Sequence, residues 1–165
     1  MPKILLFSDT HGHFDEKLVK YIQSVDEVWH AGDIGTPDVC HQVEKLKPLR
    51  AVYGNIDGQD IRKIYPKNAI FTYQGVKVLI THIGGYPTKY SADAKKLILQ
   101  EKPTLFICGH SHILKIIYDK QLNLLYLNPG AAGIQGFHQV KTALRFEIVG
   151  VEIKNMEIIE LGKRA

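Results

Sequence analysis

The chain has 165 residues, of which 45% are apolar and 23% are charged, as is ordinary for one globular domain. No apolar run reaches the roughly 18 residues that a membrane helix needs, and the beginning of the chain turns polar too early for a signal peptide. We therefore expect a single domain over residues 1–165, no membrane partner and a cytoplasmic location.

The net charge of +4 is modest, and no dense basic run is present. This charge favours anionic ligands such as phosphates or nucleotides, whereas the missing basic stripe argues against nucleic acid as a partner. The two cysteines, Cys40 and Cys108, lie far apart and in no CxxC pattern. We expect both to be reduced, buried and without a chemical role.

Short apolar runs that end abruptly recur along the chain, and each predicts a buried strand. In chain order they cover 4–8, 27–30, 50–53, 76–81, 104–108 and 124–127. Apolar residues near helical spacing or capping residues predict helices over 14–25, 36–46 and 91–100. Two more stretches predict antiparallel pairs, a hairpin over 69–81 and two strands over 142–161. Strands alternating with helices indicate an α/β fold with a mixed sheet or two stacked sheets.

Side chains that can bind a metal follow five of these strands. Ligands of α/β proteins bind beyond the carboxyl ends of strands, so these side chains are expected to meet in one place. The candidate ligands are Asp9, His11, Asp33, Asn55, His82, His110 and His112. Three glycines beside them, Gly32, Gly54 and Gly109, would allow sharp bends or a close approach of the backbone.

The candidate ligands are two carboxylates, one amide and four imidazoles, with no thiolate. Such a set suits Mn, Fe, Co, Ni or Zn, and we expect Mn²⁺ ahead of Ni²⁺, Fe²⁺ or Zn²⁺. Seven ligands are too many for one tetrahedral ion, but they suit two divalent ions that share a carboxylate. Paired ions about 3.5–4 Å apart are a recurrent solution for phosphoester hydrolysis.

This ordered set resembles the calcineurin-like metallophosphoesterase superfamily, whose motifs are D-x-H, GD, GN, a histidine and GHxH. The short chain and the turn Asn128-Pro129-Gly130 are similar to the small prokaryotic phosphodiesterase branch (YfcE-like). The resemblance implies a four-layer α/β/β/α sandwich, in which two mixed β-sheets packed face to face are flanked by helices.

The resemblance also implies a role for each ligand. Two sets of three would hold the two ions: Asp9, His11 and His112 for the first, and Asn55, His82 and His110 for the second. Asp33 would bridge the ions, and the nucleophile would be a metal-bridging hydroxide in line with the leaving oxygen. The catalytic residues would be Asp33, Asn55 and His110, and the substrate would be a small phosphodiester or nucleotide-like ester.

One position departs from the common family pattern. Many members have a histidine directly after the GN pair, where it helps to protonate the leaving group or to stabilise the transition state, but this chain has Ile56. General acid catalysis typically supplies 10²–10⁴-fold, so we expect weaker activity or a bias toward good leaving groups. The small phosphodiesterase branch commonly lacks this histidine as well, and the departure argues against a protein serine/threonine phosphatase.

The remaining site predictions are less specific. Three residues are expected to contact substrate: His13, Asn55 and Gly84. His30 is either a neighbour of the ligands or a residue packed at the end of its strand, whereas His41 and His138 are expected at the surface. The alternative to a hydrolase is a non-catalytic protein-binding scaffold on the same fold, similar to the eukaryotic retromer subunit. The two late strands offer an edge through which a homo-oligomer could form.

Overall fold

Two five-stranded sheets form the centre of the computed structural model, which describes residues 1–165. The first sheet consists of β1 (Lys3–Phe7), β2 (Glu27–His30), β3 (Leu49–Ala51), β11 (Val140–Val149) and β12 (Glu152–Lys163). The second sheet consists of β4 (Asn68–Tyr73), β5 (Val76–Thr81), β8 (Leu105–Ile107), β9 (Lys115–Asp119) and β10 (Leu124–Asn128). A separate two-stranded ribbon pairs β6 (Gly85–Tyr86) with β7 (Lys89–Tyr90).

Both sheets mix parallel and antiparallel strands. The order in the first sheet is β12-β11-β1-β2-β3, where β1, β2 and β3 are parallel and the other two pairings are antiparallel. The order in the second sheet is β4-β5-β8-β10-β9, where β5, β8 and β10 are parallel and both edge strands are antiparallel. Each sheet therefore has three parallel strands whose carboxyl ends share one edge, the usual place for a ligand.

The main core lies between the two sheets, where 14 buried apolar residues from both sheets pack together. Trp29 is its largest member, and the rings of Phe71, Tyr73 and Phe146 meet it edge-on at centroid distances of 5.2–5.8 Å. Successive strand residues point to opposite faces, so the apolar run of β1 contributes to this core and to the opposite face as well. That double burial explains why the strand is apolar from Ile4 to Phe7.

Four helices connect the strands: α1 (Leu18–Gln23), α2 (Pro37–Glu44), α3 (Gln59–Arg62) and α4 (Ala92–Glu101). Apolar residues of α1 and α2 pack on the outer face of the first sheet, and those of α4 pack on the outer face of the second. The predicted four-layer α/β/β/α arrangement is therefore confirmed. None of the four helices has the length and apolar character needed to cross a membrane.

The six predicted strands, the three predicted helices and both antiparallel pairs are present, with their ends shifted by a few residues. The largest shift concerns the predicted helix 14–25, because α1 begins only at Leu18. The Asp15 carboxylate accepts a hydrogen bond from the Lys17 backbone N–H (2.9 Å), a local bond that competes with helix formation. Strand β9, helix α3 and the β6–β7 ribbon were not predicted. Cys40 and Cys108 are buried and free, as expected.

One buried ion pair fixes the segment before α1 to strand β11. The Lys141 ammonium lies 2.6 Å from the Asp15 carboxylate, and the two side chains are only 11% and 8% exposed. Burial works to raise the pKa of Asp15, but Lys141 and the Lys17 N–H outweigh it and hold that pKa below its usual range. The pair therefore contributes stability above about pH 4, and this contribution is lost as the pH falls through the folded pKa.

Replacing Lys141 with methionine should lower the free energy of unfolding by about 3 kcal/mol at pH 7, because it leaves a buried carboxylate without its partner. The deficit should shrink as the pH falls below about 4, where Asp15 becomes protonated. Urea unfolding at several pH values measures both effects. The control is Lys154→Met, which removes an exposed ion pair with Glu152 and should cost only a few tenths of a kcal/mol. Equal effects of the two variants at pH 7 would contradict the prediction.

Candidate metal centre

The structure brings the seven predicted ligands together at the carboxyl ends of parallel strands from both sheets. Two groups have ligand atoms within 4.8 Å of one another: Asp9, His11 and His112 in the first, and Asp33, His82 and His110 in the second. The Asn55 Oδ1 atom lies 3.0 Å from His110 Nδ1 and so joins the second group. The chain thus presents two adjoining sites, each able to hold a metal ion.

The distances between ligand atoms match those expected around a shared ion. His112 Nε2 lies 3.1 Å from Asp9 Oδ1, and Asp33 Oδ2 lies 3.2 Å from His82 Nε2 and 3.4 Å from His11 Nε2. Ligands bound about 2.1 Å from one ion lie about 3.0–3.4 Å from each other in octahedral or tetrahedral geometry. Asp33 Oδ2 is thus close to one histidine of each group, the position that a bridging ligand requires.

Buried polar atoms without hydrogen-bond partners indicate which kind of ligand the centre fits. Five buried side-chain nitrogen or oxygen atoms in the protein have no hydrogen-bond partner, and three of them are Asp9 Oδ1, His11 Nε2 and His82 Nε2. The two histidine nitrogens lie 3.8–3.9 Å from Asp9 Oδ1, too far for a hydrogen bond. An unpaired buried polar group costs about 1–3 kcal/mol, and bound cations would satisfy all three. The residues therefore fit a pair of divalent ions.

Hydrogen bonds from the protein select which atom of each ligand faces the centre. The Asp9 Oδ2 atom accepts from the Ser8 hydroxyl (2.6 Å) and the His110 N–H (3.1 Å), which leaves Oδ1 free. Asp33 Oδ1 accepts from the Ile56 N–H (3.1 Å), which leaves Oδ2 free. His82 Nδ1 lies 2.8 Å from the Ala31 carbonyl, so it donates there and Nε2 is the atom that faces the centre.

The backbone at the site is held in sparsely populated conformations. Ten non-glycine residues have a positive φ, and five of them are ligands: Asp9, His11, Asp33, His110 and His112. Each left-handed residue costs roughly 1–2 kcal/mol, a strain that clusters at functional sites. Gly54 is needed for a different reason, since a Cβ there would lie 2.1 Å from Asp33 Oδ1 and 2.4 Å from the Asp33 backbone nitrogen.

The electrostatics of the centre favour positive charge. Burial works to raise the pKa of Asp9 and of Asp33, but the surrounding histidines lower both well below the usual range. Conversely, Asp33 and then Asp9 raise the pKa of His11 to about 9. Burial opposes protonation of His82, yet the same two carboxylates leave its pKa raised. Two ionised carboxylates that share one site attract cations, which is the charge that a metal centre needs.

His30 links the loop that carries Asp9 and His11 to the loop that carries Asp33. It is fully buried, and burial lowers its pKa to about 4, so the ring is neutral at pH 7. Its Nδ1 accepts from the Gly32 N–H (3.1 Å), so its Nε2 donates to the Thr10 hydroxyl (3.0 Å). That hydroxyl in turn donates to the Ile34 carbonyl (2.9 Å). The expectation that His30 neighbours the ligands is confirmed.

The prediction that His138 is a surface residue is wrong. Its ring packs edge-on against the His112 ring at 5.2 Å between centroids, and its Nε2 donates to the Gly133 carbonyl at 2.7 Å. The sequence gives no sign of this contact, because it arises when residues 131–138 fold back over the first ligand loop. The Ala132 and Gly133 N–H groups donate to the carbonyls of Ser8 and Asp9. His41 is exposed, as expected.

His13 and Gly84, the two other residues predicted to contact substrate, lie outside the two ligand groups. His13 is half-buried in the turn after His11. Gly84 is buried, and a Cβ there would lie 2.7–2.9 Å from Cys108 and Phe106. Gly84 is thus required for the close packing of this loop on the second sheet. Contact of either residue with substrate stays a prediction.

Asp57 is a functional residue whose role the sequence did not reveal. Its buried carboxylate accepts three backbone N–H groups, from Ile34 (3.1 Å), Gly35 (2.8 Å) and Gly54 (2.8 Å). It therefore fastens the loop that carries Asp33 to the loop that carries Asn55. The only sequence signal is an acidic residue two positions after a ligand, which is also an ordinary turn pattern.

Fold and site together define a class of protein, the α/β sandwiches that hold paired metal ligands at the strand ends of two stacked sheets. Residues 2–150 match the family model of the calcineurin-like phosphoesterase superfamily domain, a span that includes every ligand. The chain belongs to the calcineurin-like phosphoesterase superfamily.

The chain is similar to a probable metallophosphoesterase of Methanothermobacter thermautotrophicus, at 27% identity over 133 residues covering 76% of this chain and 74% of that one. Among solved structures, a predicted phosphoesterase from Streptococcus pneumoniae has a TM-score of 0.74 at 23% identity, covering 97% and 90% of the two chains. An archaeal phosphodiesterase has a TM-score of 0.72 at 22% identity, covering 95% and 99%. Vps29 of Entamoeba histolytica, complexed with zinc, has a TM-score of 0.69 at 15% identity, covering 97% and 99%. These structures show the fold.

We predict that the metal-stripped protein binds two Mn²⁺ or Zn²⁺ ions per chain in calorimetric titration. His82→Ala should lose one of the two, because it removes an imidazole from the second group. His41→Ala, which removes an exposed histidine away from the site, should keep both. A single ion in the unmodified protein, or two in His82→Ala with unchanged affinity, would contradict the assignment.

Replacing Asp57 with alanine should weaken metal binding by about 10–100-fold, the usual effect of losing a group that orients the ligands. Its three N–H partners would lose their common acceptor, and the two ligand loops would no longer be joined. The matched control is Asp60→Ala, an exposed acidic residue three positions further on, which should bind metal normally. Titration with Mn²⁺ measures both variants, and equal affinities would show that Asp57 does not position the site.

Proposed function

We propose that this protein is a metal-dependent phosphodiesterase that hydrolyses small phosphodiester or nucleotide-like substrates. The observation that carries the proposal is the pair of ligand groups joined at Asp33, whose Oδ2 lies within 3.4 Å of a histidine from each group. The archaeal phosphodiesterase with a similar fold supports the preference for diesters. We expect Mn²⁺ as the native ion, and Ni²⁺, Fe²⁺ or Zn²⁺ also suit these ligands. The expected cytoplasmic location is supported by the two free thiols.

Two bound divalent ions would supply an acidified water as nucleophile and neutralise charge on the phosphate. The protein's part is to fix the positions of the groups around the phosphate. Asp33 is held by the Ile56 N–H, and the Asn55 amide oxygen is held 3.0 Å from His110 Nδ1. His110 and Asn55 are the two exposed ligands, so their side chains border the solvent from which substrate enters. Asp33, Asn55 and His110 therefore remain the proposed catalytic residues.

The leaving group receives no proton from the residue after Asn55. Ile56 is 46% exposed at the mouth of the site, where many family members carry a histidine. A leaving group that departs as an anion must itself be acidic, so esters of phenols should react better than esters of alkyl alcohols. This dependence on the leaving group is a further property of the proposed enzyme.

A protein-binding role is the second candidate, and a specific observation favours it. An exposed isoleucine directly follows each of three ligands: Ile56, Ile83 and Ile113, which are 46%, 45% and 56% exposed. Phe137, beside the loop that contacts His112, is completely exposed. Apolar side chains around a site are typical of interfaces. Vps29 shares the fold and has been solved with zinc, so metal binding alone does not separate the two functions.

The deciding experiment is hydrolysis of bis(p-nitrophenyl) phosphate and of p-nitrophenyl phosphate by the metal-stripped protein, with Mn²⁺, Ni²⁺, Zn²⁺ or Mg²⁺ restored singly. We expect metal-dependent cleavage with the diester preferred, and a loss of about 10³-fold or more in Asp33→Asn and His110→Ala. His41→Ala should retain full activity. Absence of turnover with every metal, in a protein that binds two ions, would favour the protein-binding role.

A further inference from the structure

A cavity of about 750 Å³ opens beside the second ligand group and shares Asn55 and His82 with it. Its other walls come from helix α3, the beginning of strand β4 and one face of helix α4. A space of this size accommodates a nucleotide-sized ligand. A substrate whose phosphate lies on the metal centre can therefore extend one ester arm into it.

Polar and charged residues predominate among those that line this cavity. Only four of the fifteen lining residues are hydrophobic, whereas pockets for uncharged ligands are mostly apolar. Three lining residues are cations, Arg62, Lys67 and Lys96, and one is an anion, Asp93. Lys67 and Asp93 lie 4.0 Å apart with side chains 62% and 88% exposed, a contact too weak to cancel the lysine charge. The cavity thus has an excess of positive charge.

Arg62 is the cation best fixed in place. Its Nε donates to the Asp57 carbonyl (2.5 Å), one of its terminal nitrogens lies 3.4 Å from the Asn55 carbonyl, and its guanidinium lies 4.6 Å from the centre of the Tyr53 ring. All of these partners are uncharged, so the guanidinium keeps its positive charge. The same segment carries the ligand Asn55, and this places a fixed cation beside the metal centre.

We infer that this cavity is a subsite for a second phosphate, carried by the ester arm that stays attached to the scissile phosphate or by the departing alcohol. The inference rests on the proposed function and narrows its substrate class to phosphodiesters with a further phosphate on one arm. Arg62, Lys67 and Lys96 provide the charge that recognises it. The Asp93 carboxylate would repel a ligand that carries negative charge over its whole surface.

The test uses two chromogenic esters that share a leaving group: the p-nitrophenyl ester of thymidine 5′-phosphate, and the same ester with an added 3′-phosphate. We expect kcat/KM with Mn²⁺ to be about tenfold or more higher for the 3′-phosphorylated ester, the effect of one charge-assisted contact. In the double variant Lys67→Gln/Lys96→Gln this preference should fall severalfold, because Arg62 is then the one cation left in the lining. Lys95→Gln removes one positive charge from helix α4 outside the cavity and should leave the preference intact.

A binding measurement separates failure of this inference from failure of the proposed function. Calorimetry on the Mn²⁺-loaded protein should show about tenfold tighter binding of thymidine 3′,5′-bisphosphate than of thymidine 5′-monophosphate, and the double variant should lose most of the difference. If neither ester is cleaved, the proposed hydrolase function is refuted. The ratio of the two nucleotide affinities still tests the phosphate subsite in that case. Equal affinity for the two nucleotides in the unmodified protein, or a ratio unchanged in the double variant, would overturn the subsite.

Discussion

The fold must hold several charged and polar ligand atoms close together, although some of them have no hydrogen-bond partner in the protein. Asp9 Oδ1, His11 Nε2 and His82 Nε2 are buried without a hydrogen bond, and five ligands have a left-handed backbone. Both features oppose folding, each by several kcal/mol. The large apolar core between the two sheets offsets this cost, and bound cations would remove the unsatisfied part of it.

The polar network beneath the ligands makes this arrangement rigid. Asp57 joins two loops through three N–H groups, neutral His30 joins two more through Thr10 and Gly32, and Ser8 holds one oxygen of Asp9. Each of these side chains is buried and fully engaged, so the ligands they orient have little freedom. A site fixed in advance in this way loses little free energy to reorganisation when ions and substrate bind.

The fold itself does not decide between hydrolysis and protein binding, because phosphoesterases and Vps29 share it. Three features of the candidate metal centre and its surroundings characterise this chain. All seven ligand positions are occupied by competent groups, the residue after Asn55 is the aliphatic Ile56, and a cationic cavity lies beside the second ligand group. The first feature supports catalysis, whereas the other two bear on which leaving groups and substrates are accepted.

The sequence by itself determined most of the strands, the four-layer fold through its family resemblance, and the seven candidate ligands. It did so because buried strands are apolar and end abruptly, and because the ligands directly follow them in chain order. Strand β9 was not predicted, since its isoleucines lie on an exposed edge rather than in a core. The roles of Asp57 and His138 and the charge of the cavity were decided only by the tertiary structure. Each depends on contacts between segments far apart in the chain, and no local pattern records which distant loop a carboxylate, an imidazole or a lysine will face.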